Sequence, residues 1–425
     1  MTIFIFISSL LGLMALGMPI AFALIGCGLA LMYYMGFTDP QIVVQNMWDG
    51  ANSFPLLAVP FFILAGELMN AGGLSRRIID LARAYVGHIR GGLGYVAIGA
   101  AVLLASMSGS AIADTAALAT ILLPMMREQK YPDSYSAGLL ASGGIIAPII
   151  PPSMPFVIYG VTTNTSISKL FLSGVVPGLI MGVFLIFAWW SIARKFDLSR
   201  GERMAWGPRL KALAKSFWAM MMPVIILGGL KGGVFTPTEA AVVAAVYALF
   251  VSMVIYREMT WSRLYAVFLA AAKTTAVVML LCGAATVTAY MITLADLPNM
   301  LADSFSGLLG NPMLFMATMM LFLLVVGTAM DLTPTILIFG PVCAPLAVKA
   351  GIDPIYFGFM FIYVGCIGLI TPPVGTVQNV IAGVGRLRME TVIKGTNPFL
   401  LVYVLLAVLF VIFPQIILAP LRWMH

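Results

Sequence analysis

Apolar runs long enough to cross a bilayer follow one another almost end to end through this chain. They span roughly 2–35, 54–72, 91–126, 135–166, 170–193, 216–256, 264–293, 312–347, 354–385 and 398–420. About 20 apolar residues make one crossing. A backbone in hydrocarbon must satisfy its own N–H and C=O groups, which leaves helices and closed barrels as the possible structures. Runs of this length and continuity predict helices. Only 9% of the residues are charged and 61% are hydrophobic, against roughly 25% charged in an ordinary soluble domain. The expected fold class is therefore an all-α polytopic membrane protein with lipid as its solvent. The start of the chain has no basic residue before its apolar run, so it reads as a retained helix rather than a cleaved signal. It is either one tilted helix over 2–35 or two short ones broken near Gly17-Met18-Pro19.

Charge orders the runs in the membrane. Four basic residues lie between Arg76 and Arg90 and seven between Arg194 and Lys215. Cytoplasmic loops collect such clusters. With 76–90 inside, the charges at Arg127, Lys130, Arg194–Lys215, Arg257, Arg263, Arg386, Arg388 and Lys394 all fall on the same side. Lys169, Lys231, Lys349 and Arg422 are left outside. The net charge of +7 is thus a topology signal, and no nucleic-acid partner is implied. The stretch 74–89 alternates basic and apolar residues at helical spacing and reads as a helix lying in the interface. The stretch 295–309, with Asp296 and Asp303, is its expected counterpart. The seven tryptophans, Trp48, Trp189, Trp190, Trp206, Trp218, Trp261 and Trp423, are expected as interfacial anchors.

Enzyme chemistry has little to stand on. The histidines are His88 and His425, and the cysteines (Cys27, Cys282, Cys343, Cys366) are isolated in apolar runs. Neither a zinc site nor a disulfide frame is suggested.

The chain repeats itself at an offset of 221 residues. Pro124 falls on Pro345, Pro151-Pro152 on Pro372-Pro373, Pro177 on Pro398, Gly144 on Gly365 and Gly174 on Gly395. Tyr135, Ile146 and Ile149 also meet their like. Six of these nine identities are Gly or Pro, the residues that fix backbone shape. The run 91–126 is interrupted at Ser106–Ser110 and 312–347 at Gly327–Pro334, so each reads as a re-entrant helical hairpin. The expected organisation is a first repeat over 1–210, with hairpin 91–126 and broken helix 135–166. A second repeat covers 211–425, with hairpin 312–347 and broken helix 354–385. Loop charges place the two hairpins on opposite sides, making the repeats inverted. Inverted repeats with interrupted helices mark the midplane binding site of secondary transporters.

The breaks supply the chemistry. A proline cannot donate to the helix ladder, so Ile149–Ser153 and Ile370–Val374 leave carbonyls without helical partners. Sodium accepts such uncharged oxygens, and the tip hydroxyls of Ser106, Ser108, Ser110, Thr328 and Thr333 add more. Half-helix C-termini favour a cation, and half-helix N-termini an anion. Asp114 and Asp331 are the intramembrane carboxylates nearest the tips, and such groups are functional by default in a bilayer.

The run Phe54–Asn70 with Gly72–Arg77 resembles the large membrane subunit of tripartite ATP-independent periplasmic (TRAP) transporters. So do Ile150-Pro151-Pro152-Ser153, Met330-Asp331-Leu332-Thr333-Pro334 and Thr371-Pro372-Pro373-Val374-Gly375. The resemblance covers the whole chain. It implies a multi-pass protein of the bacterial inner membrane that takes up an organic or sugar acid with sodium by an elevator motion, in which a transport unit of both hairpins and both broken helices slides against a scaffold made of the rest. The implied partners are a separate small membrane subunit and a periplasmic substrate-binding protein, with Na+ as coupled ion and no other cofactor. One sodium site would use Ser106 and Ser108 with carbonyls at Ala147, Ile150 and Pro152. The other would use Gly327, Thr328 and Thr333 with Gly368, Thr371 and Pro373. Substrate-pocket candidates are Ser110, Ser153, Asp331, Gly375, Thr376, Gln378 and Asn379. The chain departs from the family pattern at Ala147, where Gly is frequent, and at Val377, where Asn is frequent. Its overall likeness runs to permeases for a keto sugar acid such as 2,3-diketogulonate. The alternative is a stand-alone sodium/dicarboxylate symporter of similar architecture that needs no binding protein.

Overall fold

The structure is a computed structural model that describes residues 1–297, 299–300 and 310–424. Helices are its only extended elements among these residues. The first run resolves into two helices, α1 (Thr2–Ala15) and α2 (Ile20–Tyr34). Gly17 at φ +79 and Pro19 separate them. Then come α3 (Pro40–Ala51), a 3-10 turn (Phe54–Leu57), α4 (Ala58–Ala71), α5 (Leu74–Val86), α6 (Gly92–Ser108), α7 (Ala111–Glu128), α8 (Asp133–Gly144), α9 (Met154–Thr162) and α10 (Ile167–Lys195). The remainder is α11 (Trp206–Lys231), α12 (Pro237–Phe250) with a π turn (Val251–Ile255), α13 (Trp261–Leu294), α14 (Pro312–Ala329), α15 (Leu332–Lys349), α16 (Pro354–Gly368), α17 (Thr376–Gly385), α18 (Met389–Ile412) and α19 (Gln415–Met424). Among the described residues, eight helical segments are long and apolar enough to cross a membrane.

Many starts are written in the sequence as a capping residue followed by proline. Asp39-Pro40, Thr236-Pro237, Asn311-Pro312 and Asp353-Pro354 each open a helix. The cap oxygen accepts a first-turn N–H, and proline loses nothing where no N–H is needed. Asp353, for instance, accepts from Ile355 N at 2.8 Å and Tyr356 N at 3.0 Å. The run 216–256 must cross twice to bring Arg257 back to the side of Lys215. It does so as α11 and α12, with Lys231 at the turn.

The helix starts recur along the chain. From α6 to α14 the start shifts from 92 to 312, from α7 to α15 from 111 to 332, and from α8 to α16 from 133 to 354. From α9 to α17 it shifts from 154 to 376, and from α10 to α18 from 167 to 389. Each set is a helix pair joined by a tight turn, a half-helix, a break, a second half-helix and a long helix.

The two sets interlock. The half-helices before the breaks, α8 and α16, are buried along almost their whole length and form the centre. α18 lies on α8, and α10 on α16. Gly138 and Gly395 let α8 and α18 touch backbone to backbone: a Cβ on Gly138 would stand 2.1 Å from the Gly395 carbonyl oxygen. Each half-helix after a break packs on the other set's hairpin, α9 on α15 and α17 on α7. A second group gathers around α13, which packs on α2, α3 and α4, while α12 packs on α4 and α11 on α5.

The basic loops gather at one end. Arg77 pairs with Glu258 at 2.6 Å, Arg90 pairs with Asp197, and Gly91 N donates to Ser199 O at 3.1 Å. Lys169 and Arg194 sit at opposite ends of α10, about 40 Å apart at 1.5 Å per residue.

Three expectations need correction. Trp189 is no interfacial anchor: it is fully buried, donates from Nε1 to Gly91 O at 2.8 Å and lies against Gly94 and Tyr131. Trp48, Trp190, Trp206, Trp218 and Trp261 are exposed as expected. The run 398–420 is two helices, because Pro414 interrupts the ladder between α18 and α19, and α18 begins earlier, at Met389. Its polar first turns, with Glu390 and Lys394, hide that start from hydropathy. The end of the loop read over 194–215 is already helical from Trp206. Most of the stretch 295–309, Asp303 included, lies outside the described residues, as do His425 and the side chains of Arg422 and Trp423.

Candidate cation and substrate site

Each hairpin tip meets the break of its own set. In the first, α6 ends on Gly109 at φ +63, and Ser110 caps α7 by accepting from Ala113 N at 3.3 Å. The Gly109 turn sits on the break: a Cβ there would stand 2.5 Å from Pro152 O. In the second, a Cβ on Gly368 would fall 2.6 Å from Gly327 Cα, so two glycines are needed for this contact. Val374 N donates to Thr328 O at 3.2 Å and ties the second tip to its break. Both Pro-Pro peptide bonds are cis.

The side chains expected to hold cations are arranged as acceptors. A Ser or Thr hydroxyl has one proton and two lone pairs. Ser106 donates to Leu103 O at 2.7 Å, Thr328 to Val325 O at 2.7 Å and Thr371 to Ile367 O at 2.7 Å. Ser108 donates to Asp114 Oδ1. With the protons so committed, lone pairs are what these groups can offer a ligand. In the first break the turns Ala147 N to Gly144 O and Ile150 N to Ile146 O, both 3.1 Å, leave the carbonyls of Ala147, Ile150 and Pro152 without a hydrogen-bond donor among the described residues. In the second, Gly368 O accepts from Thr371 N at 3.0 Å. Thr333 lies half-buried in the first turn of α15. No group of three or more His, Cys, Asp or Glu stands together among the described residues.

The substrate-pocket candidates divide into two kinds. Asp331, at the start of α15, accepts from Thr376 Oγ1 at 3.4 Å, so these two converge beside Gly375 at φ +47. Ser110 is half-buried at the first tip. Ser153, Gln378 and Asn379 serve their own breaks. Ser153 Oγ donates to Pro148 O at 2.5 Å and accepts from Phe156 N at 3.3 Å. Gln378 Nε2 donates to Ile370 O at 2.7 Å, and Asn379 Nδ2 to Val374 O at 2.8 Å. Ser153 supplies Pro148 O with the donor that Pro152 lacks, while Gln378 and Asn379 satisfy carbonyls of the second break.

The two breaks differ in exposure. Residues 142–153 are buried throughout, whereas Pro373 and Val374 are exposed and Thr371 is half-buried. On the end away from the basic loops, a cavity of about 1060 Å³ opens between α13, α15 and the start of α10. Asn46, Thr163, Lys169, Thr286, Tyr290 and Lys349 line it. The sequence reading did not find this cavity. Its one signal was that the charge count left Lys169 and Lys349 on the outer side.

Residues 7–416 match the family described as "Tripartite ATP-independent periplasmic transporter, DctM component". The chain belongs to this DctM family. Among its relatives, the 2,3-diketo-L-gulonate TRAP transporter large permease protein YiaN of Escherichia coli is 53% identical over the full length of both chains. The sialic acid TRAP transporter large permease protein SiaM of Vibrio cholerae is 40% identical, with 95% of each chain covered. Among solved structures, the YdaH transporter of Alcanivorax borkumensis shares the fold with a TM-score of 0.64 over 88% of this chain and 87% of that one, at 16% identity. This DctM protein is thus a transport protein and not an enzyme, and it crosses the bacterial inner membrane many times. DctM large permeases work with a small membrane subunit and a periplasmic binding protein.

Proposed function

We propose that this large permease imports an organic or sugar acid with sodium. A periplasmic binding protein hands over the acid, and a separate small membrane subunit completes the transporter. The observation that carries this reading is the state of the hydroxyls at the tips and at the second break. Ser106, Ser108, Thr328 and Thr371 each spend their proton on a neighbouring oxygen. Beside them are break carbonyls with few donors, in segments that hydrocarbon would not tolerate without a replacement ligand. A hard monovalent cation suits such oxygen-only sets. Asp331 and Thr376 together with Ser110 mark the substrate side, and the lysine-bearing outer cavity is a suitable way in for an acid.

Two cation sites then flank one acid site, carried by a unit of hairpins and broken helices that slides against the group around α13. The inverted hairpins support alternation between the two sides. A keto sugar acid such as 2,3-diketogulonate is the first substrate to try, since the E. coli relative named for it matches end to end.

The test is uptake into proteoliposomes holding the large and small subunits with the binding protein outside. 2,3-Diketo-L-gulonate, sialic acid and a C4-dicarboxylate are offered in turn. Uptake of one acid under an inward sodium gradient, abolished when potassium replaces sodium or the binding protein is left out, is the expected result. Uptake with no sodium gradient, no potential and no binding protein overturns the reading.

A further inference from the structure

Asp114 is buried in the first turn of the first hairpin's return helix, with the residue 2% exposed. Oδ1 accepts the Ser108 hydroxyl proton, and Oδ2 is buried without any hydrogen-bond partner. It takes part in none of the three ion pairs among the described residues. The next basic side chain along its helix is Arg127, about 20 Å away at 1.5 Å per residue. A carboxylate in hydrocarbon is costly unless something pairs with it. No cationic side chain does so here, and the free oxygen lies at the tip where a cation is expected.

The geometry around Ser108 is directional. Its Oγ gives its proton to Asp114 and accepts from Ser110 N at 3.2 Å. That leaves one lone pair unassigned, turned away from the carboxylate. The second hairpin lacks this arrangement. The positions at the same offset are Ala329 for Ser108 (108 + 221) and Thr335 for Asp114 (114 + 221). Its acid is instead Asp331, which matches Ser110 (110 + 221). Each tip therefore carries one carboxylate, reached by a different route.

We propose that Asp114 supplies the negative charge of the first cation site and, by taking the Ser108 proton, holds that hydroxyl with a lone pair toward the bound sodium. Asp114 is then a positioning residue that acts through Ser108 and balances the ion's charge. The inference rests on the sodium reading of the first tip given above.

The experiment is equilibrium binding of radioactive sodium to the purified permease in detergent, with choline as the replacing cation. It needs no knowledge of the substrate. Wild type is expected to bind sodium. Asp114→Asn is expected to weaken one class of site by about tenfold or more, equivalent to ~1.4 kcal/mol. Asp114→Glu should restore part of the affinity, which a mere packing role would not allow for a longer buried side chain. Ser108→Ala should add little on top of Asp114→Asn, since coupled residues are not additive. If Asp114→Asn is not recovered from the membrane, Asp114→Glu takes its place, and a shifted curve supports the proposal. Sodium curves unchanged in both variants overturn this inference and leave the sodium reading standing. Wild-type protein that binds no sodium overturns both.

Discussion

Gly368 shows how narrowly the second tip is built. Its missing side chain is what lets the Gly327 backbone lie against it. Gly368→Ala drives a methyl group into main chain that cannot give way, and overpacking of this kind costs ~1–3 kcal/mol. The expected outcome is a lower thermal unfolding midpoint together with a weakened second cation site, read by sodium-dependent thermal shift. Thr371→Ala removes a hydroxyl and Pro151→Ala reshapes the first break. Both are expected to raise the sodium concentration for half-maximal uptake by more than they lower membrane expression. A sodium titration that does not move would count against the assignment of these residues. Trp189→Phe keeps the ring in its slot beside Gly94 but leaves Gly91 O without its indole donor, a loss of ~1 kcal/mol. Its unfolding midpoint should fall while the half-saturating sodium concentration stays put. Sequence alone could not place this residue. Trp189 and Trp190 stand side by side near a basic loop, yet one is buried and the other 47% exposed, and only the face of α10 distinguishes them.

At the level of elements, the repeat was readable because proline and glycine constrain the backbone whatever surrounds them. Pro151-Pro152 and Pro372-Pro373 mark the breaks, and the Asp-Pro, Thr-Pro and Asn-Pro pairs mark starts within a residue. What could not be read was which helix each half-helix would lie on. Hydropathy is nearly uniform around α16, every residue of which from Ile355 to Gly368 is buried, so no polar face says where its neighbours are. The packing of α9 on α15 and of α17 on α7 therefore emerged only in three dimensions. The hydroxyl protons were also beyond reach, since a sequence names Ser108 but not the acceptor it chooses. The α8–α18 crossing is testable at this scale. Gly138→Leu should push α18 off α8, and because α8 leads directly into the first break, the first cation site should weaken with it. A double measurement of unfolding and sodium binding separates this from a local effect.

Across the whole molecule, the basic loops and the lysine-lined cavity stand at opposite ends, and the two interlocked sets lie between them. Lys169→Gln with Lys349→Gln should slow uptake of an acid most at low salt, where charges act over longer distances. The effect should shrink as ionic strength rises. Uptake that loses equally at every salt concentration would argue that the lysines hold structure and not the acid.

One break is sealed and its twin lies open, although both are built from matching parts. On the alternating uptake proposed above, such a molecule would hold a template for its other shape: give the second set the geometry of the first, and the first that of the second, and the opposite arrangement follows without new contacts having to be invented. The four native cysteines are all buried, so the protein comes nearly silent to thiol reagents. A cysteine placed at Val374 should then react in the arrangement described, while one at Ser153 stays protected. Conditions that turn the protein to face the other way should exchange the two reactivities. Labelling of both positions that never changes would mean that the symmetry between the halves is a relic of ancestry, no longer used in motion.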